Sequence, residues 1–113
     1  MQVFFSMEGK ELQARIKGEV DLETADRLRQ ELEASLDHAR PEVLLLDLAG
    51  VTFMDSSGLG VILGRYRRLK KQGGRVILAR PQPQVRRLLE ISGLGKIMTI
   101  ETGEAVSGQG VVE

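Results

Sequence analysis

Two adjacent serines behind an aspartate, Asp55-Ser56-Ser57, run directly into Gly58-Leu59-Gly60. A serine hydroxyl can carry a transferred group, and the second of the two, Ser57, opens a stretch with helical spacing. The run follows an apolar segment, so it falls where a strand-end loop feeds a helix. In open sheets of alternating strands and helices, binding sites gather at the carboxyl ends of the strands. Three small polar residues and two glycines leave backbone and hydroxyls open to a partner. Each glycine in a helix's first turn costs up to ~1 kcal/mol against alanine, and close approach by another molecule would account for that. The same Asp-Ser-Ser start is also an ordinary helix cap, because Asp and Ser are preferred N-cap residues.

Other chemistries fit the residues less well. A hydrolase nucleophile on such a turn needs Gly-x-Ser-x-Gly, which Asp55-Ser56-Ser57-Gly58-Leu59 does not supply. The only histidine, His38, closes an amphipathic stretch and reads as a surface residue, whereas a triad base must reach its serine. One histidine and no cysteine give zinc no ligand set. Asp55 as a phosphate acceptor would need an acidic cluster for Mg²⁺ after the first strand, and no acid follows Phe5 until Glu8. Neither a Gly-x-x-x-x-Gly-Lys-Ser/Thr loop nor a Gly-x-Gly-x-x-Gly fingerprint is present. No enzyme activity and no cofactor is expected.

The surrounding pattern supplies the scaffold. Val3 to Met7 is an apolar strand and Glu8-Gly9-Lys10 a turn. Leu12, Ala14 and Ile16 then alternate with polar residues, the period of a half-buried strand. Gly18-Glu19-Val20-Asp21 breaks that pattern, with Asp21 as N-cap of a helix whose apolar face is Leu22, Ala25, Leu28, Leu32 and Leu36. Pro41 stops it. Val43 to Leu48 reads as a central strand covered on both faces, followed by a turn at Ala49-Gly50. The second helix has Leu59, Ile62, Leu63, Tyr66 and Leu69 on one face, and Gly73-Gly74 ends it. Its basic run, Arg65 to Lys71, reads as a solvated end matched to the helix dipole. Val61 and Leu94 fit either core or partner surface. Arg75 to Ala79 is a strand. Pro81 and Pro83 lead into a helix with Val85, Leu88, Leu89 and Ile91, closed by Gly93. Lys96 to Glu101 is a last strand. The order β-β-α-β-α-β-α-β implies an α/β fold with a mostly parallel sheet of about five strands. The first strand is expected to be antiparallel at an edge, with helices packed against the sheet.

Composition bounds the function. The chain of 113 residues suits one domain, with an ordered core over about 3–101 and a loose tail or short helical turn over 102–113. Sixteen Lys and Arg balance sixteen Asp and Glu, whereas nucleic-acid binders carry a basic excess. Three Phe, one Tyr and no Trp offer no base-stacking platform. No apolar run approaches the ~20 residues of a membrane span. The first residues do not read as a signal peptide. A cytoplasmic protein without direct contact to nucleic acid or membrane is expected.

At Phe53-Met54-Asp55-Ser56-Ser57-Gly58-Leu59-Gly60 and its continuation to Tyr66, the sequence resembles the STAS domain family. Within it, the run is similar to the anti-sigma factor antagonists of the sporulation type. Gly18-Glu19-Val20-Asp21 and Ser92-Gly93-Leu94 match the same family, and the resemblance extends from residue 3 to about 101. It implies a single STAS domain that binds an anti-sigma factor, itself a serine kinase, and so frees the sigma factor. It implies phosphorylation of Ser57, which abolishes binding, and a serine phosphatase that restores it. It also implies a partner surface of Asp21, Asp55, Ser56, Ser57, Gly58 and Leu59. A stress-response antagonist, or a nucleotide or small-ligand module on the same fold, would share this architecture.

Overall fold

A computed structural model describes residues 1–103. The tail expected to be loose or briefly helical lies, from residue 104 onward, outside the described residues. The chain runs β1 (Gln2–Glu8), β2 (Glu11–Val20), α1 (Ala25–Ala39), β3 (Val43–Met54), α2 (Ser56–Lys71), β4 (Arg75–Ala79), α3 (Pro83–Ser92), a short 3₁₀ turn (Leu94–Lys96) and β5 (Thr99–Glu101). This is the order read from the sequence. The strands form one sheet in chain order, β1-β2-β3-β4-β5. β1 is antiparallel to β2, and every later pair is parallel. The antiparallel edge strand therefore stands where it was expected.

Strand alternation sorts the sheet into two faces. Leu12, Ala14 and Ile16 of β2, Leu44, Leu46 and Leu48 of β3, and Val76 and Leu78 of β4 are buried in one core. Leu28, Leu32 and Leu36 of α1 and Ile62 and Leu69 of α2 join them. Val61 and Leu94 are also in this core, which settles the choice the sequence left open. The other face is polar in part. Arg15 lies over the Phe4 ring, 5.1 Å from its centroid, and Asp47, next to Arg15 in the β2–β3 register, pairs with Arg80. β3 is thus central but fully buried on one face only, because Val43, Leu45 and Asp47 remain half-buried.

Several boundaries differ from the sequence reading. The chain does not turn at Ala49-Gly50. β3 continues to Met54, with register shifts against β2 between Arg15 and Lys17 and between Gly18 and Glu19. Gly18 takes φ +106, which lets β2 absorb one shift and run on to Val20. The α1 helix starts at Ala25 with Thr24, not Asp21, in the N-cap position. Leu22 consequently lies outside the helix and is exposed. Ile91, one of the apolar residues read into α3, is exposed as well. Of the last strand expected over Lys96 to Glu101, Lys96 closes the 3₁₀ turn and only Thr99–Glu101 pairs with β4.

α1 and α2 are joined by charge as well as by leucines. Glu33 of α1 meets Arg65 Nε at 2.9 Å and Arg68 Nη1 at 2.8 Å, while Arg68 Nη2 reaches Asp37 at 2.6 Å. The Arg65 side chain is only 11% exposed. Burial pulls its pKa down, and the charge of Glu33 opposes that. The basic run of α2 is therefore not simply a solvated end. Two of its arginines brace the helix pair, while Arg67, Lys70 and Lys71 face solvent.

The glycines of α2 also divide. A Cβ on Gly58 would come within 2.7 Å of Met54 Cγ and 2.9 Å of Val20 Cγ1. Gly58 is thus required by the chain's own packing, not by the approach of another molecule. Gly60 and Gly64 have nothing within 4 Å of such a Cβ.

Two stability measurements follow from this packing. Gly60→Ala and Gly64→Ala should each raise stability by up to ~1 kcal/mol through helix propensity. Gly58→Ala should lower it despite the same propensity gain, since overpacking costs about 1–3 kcal/mol. In denaturant melts, Glu33→Ala should cost about 1–3 kcal/mol by stranding a largely buried guanidinium. Asp37→Ala should cost no more than about 1 kcal/mol, because its carboxylate is mostly exposed. Equal losses for Glu33→Ala and Asp37→Ala would show that burial of Arg65 is not what makes the brace matter.

Candidate functional site

The site is assembled at the carboxyl ends of β2 and β3. Val20 and Met54 are the last residues paired between these strands. Asp21 and Asp55 follow them directly, so both aspartates stand at the same end of the sheet. The Asp55 N–H donates to the Val20 carbonyl at 3.2 Å, carrying the strand pairing one step further.

Asp55 then changes role. Its backbone is extended, and its side chain caps α2, with Oδ1 accepting from the Ser57 N–H at 2.8 Å. Its carbonyl accepts from the N–H groups of Gly58, at 3.0 Å, and Leu59, at 3.2 Å. Ser56 and Ser57 are consequently the first two residues of α2. Ser56 is exposed, Ser57 and Leu59 are half-buried, and Gly58 is buried. Among the described residues, neither hydroxyl of the pair makes a hydrogen bond, whereas the Ser57 N–H does. The capping function is therefore real, but Asp55 performs it and the two hydroxyls are left free. They stand at the positive end of a helix dipole, where added negative charge is tolerated.

Asp21 organises the neighbouring turn. Its Oδ1 accepts from the N–H groups of Glu23, at 3.0 Å, and Thr24, at 3.1 Å. Thr24 Oγ1 accepts from the Asp21 N–H and donates to the Glu19 carbonyl. These bonds tie the end of β2 to the start of α1. Asp21 is thus not the helix cap expected of it, yet it lies beside the serine loop.

The structure adds two residues to the surface read from the sequence. Leu22 is 79% exposed on the Asp21 turn. Phe53, cross-strand from Glu19, is 47% exposed just before Asp55. The helical spacing of Leu22 to Ala25 predicts a place for it in α1. Thr24, also a cap residue by type though a weaker one than Asp, is the signal that places it outside. Around both lie Glu19, Asp21, Glu23 and Asp55, none of which is in an ion pair among the described residues. This end of the sheet therefore presents uncompensated negative charge, two exposed apolar side chains and two free hydroxyls. Such a surface suits a partner with basic and apolar groups. Among the described residues no group of three or more His, Cys, Asp or Glu is arranged to hold a metal. Nor, among the described residues, is any helix long and apolar enough to cross a membrane.

Comparison with known proteins agrees with this architecture. The model of the STAS domain family matches residues 8–106. An anti-sigma F factor antagonist of Paenibacillus polymyxa is 43% identical over 90 residues, 80% of this chain and 77% of that protein. An anti-sigma-B factor antagonist of Bacillus subtilis is 37% identical over 90 residues, 80% of this chain and 81% of that protein. The solved structure of the anti-sigma factor antagonist SpoIIAA in its unphosphorylated form superposes with a TM-score of 0.78 at 30% identity, covering 96% of this chain and 95% of its own. SpoIIAA of Bacillus has also been solved in a phosphorylated form, which superposes at 0.71 with 29% identity, covering 96% of this chain and 98% of its own. A sheet in this order, with a capped serine pair opening its second helix and a family match spanning most of its length, makes this chain a member of the STAS domain family.

Proposed function

We propose that this protein is an anti-sigma factor antagonist switched by phosphorylation at the serine pair of α2. The observation that carries the reading is the pair itself: two free hydroxyls on the first turn of α2, beside an acidic end of the sheet. Unphosphorylated, the protein binds an anti-sigma factor that is also a serine kinase, and the sigma factor is released. Phosphorylated, it lets go until a serine phosphatase removes the group. The Paenibacillus relative acts against an anti-sigma F factor, and its identity of 43% exceeds the 37% of the Bacillus subtilis anti-sigma-B antagonist. That order supports the sporulation pathway, with a stress-response pathway as the alternative.

The physics of the switch is local. A phosphoserine adds about −1.5 to −2 charge at pH 7. On the first turn of α2 it meets the dipole's positive end, so the fold tolerates it. It also joins Glu19, Asp21, Glu23 and Asp55, and a partner that was attracted to the surface now meets bulk and excess charge. An interface that leaves such a charge unpaired loses several kcal/mol, or ~10²-fold or more in affinity. Asp21, Asp55, Ser56, Ser57, Gly58 and Leu59 form the centre of the proposed contact. Gly58 serves by letting α2 start close to the sheet.

The acceptor within the pair has two readings. The family resemblance carries the phosphate to Ser57. The exposure of the two residues favours Ser56, which faces solvent while Ser57 is half-buried. A kinase must bring its nucleotide in line with the hydroxyl, and the more exposed one is easier to reach.

Incubation with a cognate-type anti-sigma kinase and Mg²⁺-ATP, followed by phosphosite mapping, separates the readings. One phosphate should be gained and should vanish in either Ser57→Ala or Ser56→Ala, but not in both. A phosphate on Asp55, or none with a competent kinase, would sink the proposal. Aspartate at the accepting position should weaken anti-sigma binding by ~10²-fold while backbone NMR shifts change only near the start of α2. Leu22→Ala should weaken binding by about tenfold with an unchanged melting temperature, since an exposed leucine contributes to an interface and not to the core. An unchanged affinity would remove Leu22 from the contact.

A further inference from the structure

The two edges of the sheet are unequal. β5 pairs over only three residues, Thr99–Glu101, and short edges resist adding another strand. β1 is seven residues long, Gln-Val-Phe-Phe-Ser-Met-Glu, with no proline, glycine or lysine and a single charge at its end. Its register against β2 is continuous, without a bulge to twist it away. Among the described residues, nothing pairs with its outer edge. Soluble proteins ordinarily blunt such an edge, and an unblunted one is a template for another chain.

The side chains next to this edge are apolar on the helix-covered side. Val3, Phe5 and Met7 stand opposite Ile16, Ala14 and Leu12, so they continue the core's face outward. Met7 is 44% exposed. Beside them a groove of about 390 Å³ opens between β1 and the last turns of α1, lined by Phe5, Met7, Leu12, Ala34 and His38. The small Ala34 leaves room there for a side chain from outside.

We propose that β1 is a dimer edge and that its occupant is the β1 strand of a second copy, paired antiparallel about a two-fold axis at Phe5. The sequence is self-complementary in that register. Gln2 lies against the second copy's Glu8, Val3 against its Met7, and Phe4 against its Ser6. No like charges meet, and the amide of Gln2 can donate to the carboxylate of Glu8. Val3, Phe5 and Met7 of both copies fall on the helix-covered side, where each groove receives the other copy's side chains. An interface of this kind is isologous and closes at two subunits, giving a continuous ten-stranded sheet. The serine pair follows β3, two strands in from this edge, so the pairing makes no use of it and does not depend on the function proposed above.

Sedimentation equilibrium of the full chain from micromolar to millimolar concentration tests this. Monomer and dimer should exchange with concentration, and amide shifts that follow concentration should map to β1 and to the last turns of α1. Gln2→Glu sets a carboxylate against the second copy's Glu8 twice over, and should weaken the dimer about 2- to 30-fold. Adding Glu8→Lys should restore it. Neither change harms the fold, because within the chain Gln2 faces Lys17 and Glu8 faces Glu11, and thermal melts verify that. A chain monomeric at every concentration overturns the proposal. So does a dimer indifferent to Gln2→Glu, or one that Glu8→Lys fails to rescue.

Discussion

The close seat of Gly58 against Val20 and Met54 governs the geometry of this protein. It forces the first turn of α2 down onto the joined ends of β2 and β3, where Asp55 is already fastened to the Val20 carbonyl. A larger residue would lift the helix start away from the sheet. With the helix start fixed, the positions of Asp55, Ser56 and Ser57 follow, because they are adjacent covalently and their backbone bonds are assigned. The brace from Glu33 to Arg65 and Arg68 sets the rotation of the same helix further along. Two constraints on α2, one steric at its start and one electrostatic along its length, hold the serine pair in place.

Local chemistry and tertiary packing use the same residues here for different ends. Asp55 spends its backbone N–H on β2, its carbonyl on the first turn of α2 and its carboxylate on the cap. That division releases the two hydroxyls from any structural duty. Asp21 makes the equivalent arrangement in the neighbouring turn, where Thr24 takes over the capping position. Both aspartates are therefore structural and, at the same time, sources of the site's negative field. A substitution at either would confound folding with recognition, which the exposed Leu22 and Phe53 do not.

The element order and the serine loop were legible in the sequence because each rests on local signals. Period-2 alternation marked β2, leucine spacing marked α1, and an Asp-Ser-Ser turn after an apolar run marked the start of α2. The misread features depend on contacts between distant residues. Gly18 and the register shifts let β2 and β3 run past positions that look like turns, and only the pairing of the two strands reveals it. The solvated reading of Arg65 and Arg68 failed because their partners are some thirty residues away on α1. Gly58 looked like an invitation to a partner because its steric neighbours, Val20 and Met54, are close only once the sheet has formed. Leu22 is a different case, since Asp21 and Thr24 are both N-cap types and preference by type favours Asp21, the position the helix does not use.

The strand order also bears on how the chain reaches its native state. In many sheets of parallel strands, a later strand must insert between earlier ones or return to the far side of the first. Here each strand lies beside its predecessor, so each new pairing closes only the loop that contains the intervening helix. The entropy lost at each closure is that of a loop of modest length, and no edge must wait for a distant segment to cover it. Topologies with short sequence separation between contacts fold fast. Synthesis from the N-terminus would let the β1–β2 hairpin form first and each helix–strand unit add to a finished edge in turn, with the carboxyl-terminal strand completing the sheet last.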